Sequence, residues 1–175
     1  MKAEQFVTID LEAIRSAAIS IQTTTGVDVI GVLKSDAYGC RQKIVAEALE
    51  DLVSGWYVLH TSEAIAWGLW EMTKKPILVG APLSDETVDE LKQMRIRPAV
   101  WNLEMLRRLE RADPVLAIDT GMQRFACPAS ELESMMQLSQ TSPSPSPSRS
   151  SWKVLASVGQ LSHRSPRWSP SRSAW

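Results

Sequence analysis

The stretch VIGVLKSDAYGC, residues 29 to 40, sets an amine, a carboxylate and a phenol within five positions: Lys34, Asp36 and Tyr38. The run before Lys34 has the composition of a buried strand, so the lysine ends that strand among apolar neighbours. A partly desolvated lysine amine is the nucleophile that imine formation requires, and its natural reagent is an aldehyde cofactor. Asp119 and Arg124, in AIDTGMQRFA, follow another apolar run far down the chain. Each residue also has an ordinary reading. A lysine at a strand end is most often a solvated charge, Tyr38 a packed aromatic with a wet hydroxyl, and Arg124 a surface cation. His60 and His163 have no ligand spacing around them, and Cys40 and Cys127 read as small buried hydrophobes.

Elements of alternating period must position these groups. After a first helix over about 10–24, VDVIGVLK reads as a strand and QKIVAEALEDL as an amphipathic helix. The order repeats in GWYVLH with SEAIAWGLWEM, PILVGA with SDETVDELKQM, PAVWN with NLEMLRRLER, and PVLAID with PASELESMMQL. Ser62, Ser84 and Asn102 are expected N-caps, and Glu63, Asp85, Glu86 and Glu104 put negative charge into first turns. Pro76, Pro98 and Pro114 are expected where strands begin. Five βα units imply a parallel sheet with helices outside it, either a doubly wound open sheet or part of a (β/α)₈ barrel. The chemistry-bearing ends of such strands are the C-terminal ones, so Lys34 and the pair Asp119 and Arg124 should open on one face.

Composition bounds the class of protein. The 175 residues are 44% hydrophobic with a net charge of −1, which suits a globular core and gives no electrostatic reason to expect nucleic acid or membrane as a partner. Two cysteines are too few for a disulfide framework, the N-terminus lacks the apolar core of a signal peptide, and no stretch is apolar for the ~20 residues of a membrane span, so a cytoplasmic protein is expected. The chain changes character after Gln140. All twenty acids precede residue 141, whereas the upstream density predicts about five in the remainder. That remainder is rich in Ser and Pro and carries Arg149, Lys153, Arg164, Arg167 and Arg172. Residues 1–140 are therefore read as one folded portion, and 141–175 as a disordered or non-native tail, the product of out-of-frame translation. The rival reading is a disordered Arg-Ser tail that binds RNA or another acidic partner.

Two motifs in register resolve the architecture by resemblance. VLKSDAYG resembles the cofactor-lysine motif of the bacterial alanine racemases, V-x-K-A-(N/D)-A-Y-G, and IDTGMQR resembles their I-D-T-G-M-x-R. The opening TIDLEAIRSA is similar to the family's start, and the resemblance runs from about residue 5 to residue 140. It implies an α/β fold, a partial (β/α)₈ TIM-type barrel of about five βα units, belonging to a domain that binds pyridoxal 5′-phosphate and is followed in the family by a β domain. By the same resemblance Lys34 would hold the cofactor covalently and act as the base on one face of the substrate. Tyr38 would bond the cofactor phosphate, and Arg124 would lie by the cofactor ring and the substrate carboxylate. The implied activity is interconversion of L- and D-alanine, with homodimers the rule in the family.

Departures from the pattern are equally specific. Cys40 and Arg41 stand where the family often has histidine and glycine, and Ala117 stands where many members carry a modified lysine seven residues before the arginine. The family's second base, a tyrosine of the β domain, and the arginine facing the pyridine nitrogen have no counterpart in this sequence. An open arc of five strands would leave edges unpaired and apolar interior facing water. Two alternatives to an alanine racemase follow: a racemase of serine, lysine or several amino acids, or a cofactor carrier that does not turn over substrate.

Overall fold

A computed structural model describes residues 7–81, 86–141 and 154–157 of the chain. Five strands, β1 (Ile30–Val32), β2 (Gly55–Val58), β3 (Ile77–Val79), β4 (Ile96–Val100) and β5 (Val115–Asp119), lie side by side in sequence order, every neighbouring pair parallel. Order without reversal is that of a barrel wall; a doubly wound sheet would reverse at a switch point. The barrel expectation therefore holds, and the open-sheet alternative does not.

Alternation along the strands divides the apolar residues into two sets. Trp56 and Val58, Ile77 and Val79, Ile96 and Val100, and Leu116 and Ile118 face outward into one core with Val45, Leu49, Leu69, Leu91, Leu106 and Leu109 of the helical layer. Each such aliphatic side chain, fully buried, contributes about 1.5–3 kcal/mol, so this outer layer carries most of the stability. The opposite set runs across the strands in register, Val32 beside Tyr57, Tyr57 beside Leu78 and Leu78 beside Arg97. Val32, at the β1 edge, remains 45% exposed, as an open arc requires.

Most helix boundaries follow their local chemistry. Helix Leu11–Thr25 begins at Asp10, whose Oδ1 accepts from Ala13 N–H at 3.0 Å, and stops at Gly26 in the left-handed region. Asn102 caps Leu103–Leu109 as expected, accepting from Met105 N–H at 2.8 Å. Ser62 does not cap its helix. His60 takes that place before Thr61–Ala66, because the Glu63 carboxylate accepts the N–H groups of Leu59 and His60 and starts the winding earlier. Ser84 and Asp85 lie outside the described residues, and helix Val88–Gln93 is capped by Thr87 with Glu90. Gly68, also left-handed, divides the expected helix over 62–72 into Thr61–Ala66 and Leu69–Met72.

One further expectation needs correction. Pro76 and Pro114 immediately precede β3 and β5, but Pro98 sits inside β4. Pairing of β4 with β5 begins only at Ala99, so at Pro98 the strand still has a free side, where a missing N–H is tolerated. Most of residues 141–175 lie outside the described residues, but β7 (Val154–Ser157) pairs in parallel with β5 over Leu116 to Asp119. The apolar VLA run gives this short piece a strand's character despite the composition around it. A two-residue strand, β6 (Cys127–Pro128), also pairs with the end of β5.

Candidate functional site

The chain leaves β1 through an uncommon conformation. The strand reading carried the extended run through Lys34, but the strand ends at Val32, and Leu33 N–H donates to Tyr57 C=O across the sheet at 2.8 Å. Ser35, Asp36 and Ala37 then adopt φ of 53–55° and ψ of 44–48°, and Tyr38 has φ of 57°. These residues form a left-handed helical turn, closed by Ala37 N–H to Leu33 C=O at 2.9 Å and Gly39 N–H to Ser35 C=O at 3.1 Å. For L-residues with a Cβ this geometry costs about 1–2 kcal/mol each. Only Gly39, with φ of 85°, is suited to it.

Neighbours over-determine the turn. Ser35 N–H donates to Glu63 Oε1 at 2.7 Å, Asp36 Oδ1 accepts from Gln42 N–H at 2.7 Å at the start of helix Gln42–Leu49, and the Ala37 methyl is buried. Lys34 is half-buried, and its Nζ lies 5.6 Å from the centre of the exposed Tyr38 ring, within cation–π range. The turn thus brings Lys34 and Tyr38 together. Arg41, where the family often has glycine, has φ of 70°.

At the end of β5, Asp119 Oδ1 accepts N–H groups from Gly121 at 2.8 Å and Gln123 at 2.9 Å, which holds the carboxyl below its ordinary value. Asp119 is therefore a loop-forming residue. The folded-back loop sets Met122, Arg124 and Phe125 along a cavity whose other lining includes Tyr57, Gly80, Ala99 and Ala117, with about 420 Å³ of space open to solvent. Phe125 packs on Trp101 with ring centres 5.6 Å apart. Ala117 is buried at the cavity wall, and among the described residues Arg124 makes no ion pair. Cys127 is buried, with its thiol pushed up by burial, and Cys40 is half-buried.

Lys34 does not line this cavity, and β2 to β4 separate it in the sheet from the Arg124 loop. Tyr57 lies between them in the sheet: its C=O accepts Leu33 N–H, and it lines the cavity with Arg124. Burial raises the pKa of its phenol, and Arg124 opposes that rise. In the sequence Tyr57 is one letter of an expected strand and Glu63 an expected first-turn charge. The signal available was that Tyr57 and Leu59 alternate with the outward Trp56 and Val58, which puts a phenol on the inner face of the wall. Gly80 completes the arrangement: a Cβ there would overlap the Tyr57 hydroxyl and lie 2.6 Å from its Cζ.

A parallel, singly wound βα wall with an amine on a strained turn after its first strand, and a cation after its fifth, has the architecture of a barrel wall with both groups at C-terminal strand ends. The chain belongs to the alanine racemase family, since the family model "Alanine racemase, N-terminal domain" matches residues 9–158. The alanine racemase of Mannheimia succiniciproducens is 32% identical over 111 residues, covering 60% of this chain and 31% of that one. The serine/alanine racemase of Enterococcus gallinarum is 32% identical over 101 residues, 55% of this chain and 14% of that one. The solved alanine racemase of Clostridium difficile 630 superposes with a TM-score of 0.61 at 26% identity, over 73% of this chain and 37% of its own. The biosynthetic enzyme from Pseudomonas aeruginosa shares the fold with a TM-score of 0.62 at 22% identity, over 77% of this chain and 40% of its own. The chain spans about a third of the length of the curated alanine racemases it matches. Among the described residues no helix is long and apolar enough to cross a membrane.

Proposed function

We propose that this chain supplies part of the cofactor-binding barrel of a pyridoxal-phosphate-dependent amino-acid racemase, with alanine the substrate the family favours and the cytoplasm its setting. The observation that carries the proposal is the left-handed turn that presents Lys34 beside Tyr38. The donor set suits the cofactor: an amine for its aldehyde, a phenol O–H for its phosphate, and Arg124 at a cavity walled by Gly80, Ala99 and Ala117. Bound there, the cofactor would supply an electron sink that acidifies the α-proton of an amino acid. Lys34 is the residue we assign to hold the cofactor and to move a proton at its Nζ. Tyr38 anchors the phosphate, and Arg124 draws the substrate carboxylate toward the cavity.

Racemisation requires a base on each face of the α-carbon, and the residues assigned here supply one. One-sided proton exchange is therefore the activity expected of this chain alone, and the homodimer and second base belong to the same proposal. Ala117 leaves Arg124 without the partner many relatives provide, which favours looser substrate positioning and keeps a non-catalytic carrier as the second reading. The experiment is to incubate the chain with pyridoxal 5′-phosphate, reduce with borohydride and map the modified peptide. Modification at Lys34 that Lys34→Ala abolishes supports the reading; none, in a folded chain, refutes it. Deuterium exchange into alanine at the α-carbon then marks a catalyst, and trapping without exchange marks a carrier.

We also place the boundary of the racemase-like portion near residue 140 and attribute the Ser/Pro/Arg-rich remainder to a shifted reading frame. The abrupt loss of acids supports this, while β7 and the family match through residue 158 bring part of that segment onto the barrel wall. The nucleotide sequence tests it: an alternative frame must continue the racemase pattern beyond the break.

A further inference from the structure

Glu63 does more than open the helix after β2. Its Oε2 accepts from Leu59 N–H at 2.7 Å and His60 N–H at 3.1 Å, both at the end of β2. Its Oε1 accepts from Ser35 N–H at 2.7 Å, in the turn after β1. One carboxylate thus ties the C-terminal ends of two neighbouring strands. Among the described residues it makes no ion pair, so backbone N–H dipoles carry the compensation for its charge. Burial alone would raise its pKa, and the three backbone donors outweigh burial and lower it. Ser35 N–H opens the left-handed turn and, like the first N–H groups of any helix, needs an acceptor from outside.

We propose that Glu63 is the positioning residue of Lys34: it fixes the first peptide of the left-handed turn and thereby the direction of the lysine amine and the Tyr38 phenol. The functional consequence rests on the reading of Lys34 as the cofactor amine; the mechanical one does not. Because the two carboxylate oxygens serve the two loops separately, Glu63→Gln separates the roles. Glutamine has one acceptor oxygen. Turned toward Leu59 and His60 it keeps both cap bonds and sets its NH₂ against Ser35 N–H, a donor facing a donor.

The test is amide hydrogen exchange of the full chain without cofactor, followed by borohydride trapping with pyridoxal 5′-phosphate. In E63Q the amides of Ser35, Ala37 and Gly39 are expected to exchange about 10- to 100-fold faster, the loss of one charge-assisted bond, while helix Thr61–Ala66 keeps its protection. Lys34 trapping falls in parallel. Unchanged turn amides overturn the proposal, as does equal acceleration in Thr61–Ala66, which would make Glu63 a cap only. Should E63Q fail to fold, E63D reads the same distinction, since its shorter arm keeps charge at the cap but falls short of Ser35. Failure of trapping in the wild-type chain, with the exchange result intact, sinks the cofactor reading and leaves the positioning role standing.

Discussion

Gly31 sits in the middle of β1, three residues before Lys34, and its missing side chain lets the Trp56 indole close over the strand. In Gly31→Ala the new Cβ overlaps indole Cζ3, lies 2.7 Å from Cε3 and meets Val53 Cγ1 at 3.5 Å. The indole cannot step aside cheaply. It is fully buried, and its N–H donates to Glu50 Oε2 and Thr73 Oγ1, each at 3.2 Å. Overpacking a filled site costs about 1–3 kcal/mol, and a rotated indole also forfeits hydrogen bonds of about 0.5–1.5 kcal/mol each. The expected loss is about 2–4 kcal/mol, or a melting temperature lower by roughly 5–15 °C for a chain of this size. Gly80→Ala is the comparator: its Cβ also collides, but with a phenol that borders open space and can swing, so about 1 kcal/mol is expected. Thermal and urea unfolding followed by far-UV circular dichroism measures both. Gly31→Ala within 0.5 kcal/mol of wild type, or less destabilised than Gly80→Ala, would show that the packing argument is wrong, 0.5 kcal/mol being about the size of an ordinary surface substitution.

Three other outcomes are expected. Arg41→Gly relieves a left-handed exposed residue and should stabilise the chain by about 1 kcal/mol after the entropy cost of glycine, read as a higher urea midpoint with an unchanged slope. Asn102→Ala removes an N-cap and should destabilise by about 1 kcal/mol in the same assay. Acid titration of stability should show a loss that begins near the ordinary carboxylate values and continues downward. Burial raises Glu63, but its backbone donors lower it below 4.5, and the Arg15 hydrogen bond holds Asp51 at about 2. Between its unfolded and folded values such a group binds more protons unfolded than folded, so its stabilisation is complete above the unfolded value and disappears as pH falls through the folded one. Removing Glu63 should flatten the upper part of that titration, and an unchanged slope in E63Q would contradict the assignment.

The wall was legible because its signal is redundant. Five apolar runs followed by amphipathic helices recur in order, and Asn102 or Pro114 marks boundaries by chemistry that acts within a few residues. Ser62 and Pro98 misled for the opposite reason: a carboxylate from Glu63 and a half-paired strand at Pro98 are tertiary facts that override local preference. Within the expected tail, the short apolar run of β7 pairs with β5. The candidate site was half visible. Lys34, Tyr38 and Arg124 stood out as residue types in register with known motifs, whereas Tyr57 is visible only once the inner face of β2 is known.

Nothing in KSDAYG announces a left-handed turn, since Ser and Ala avoid that region and Asp enters it mainly as a single residue. Several consecutive unfavourable residues persist only if the surroundings supply more than the turn costs. Here the supply comes from three directions: Glu63 from helix Thr61–Ala66, the Asp36 bond to the start of the following helix, and the burial of Ala37. Each is worth about as much as a single residue's strain, so no one of them suffices. The direction of the lysine amine is consequently a property of β1, β2 and two helices together. A substitution in any of these should move the amine before it unfolds the barrel wall, because a few hydrogen bonds hold the turn while the wall is held by the buried core.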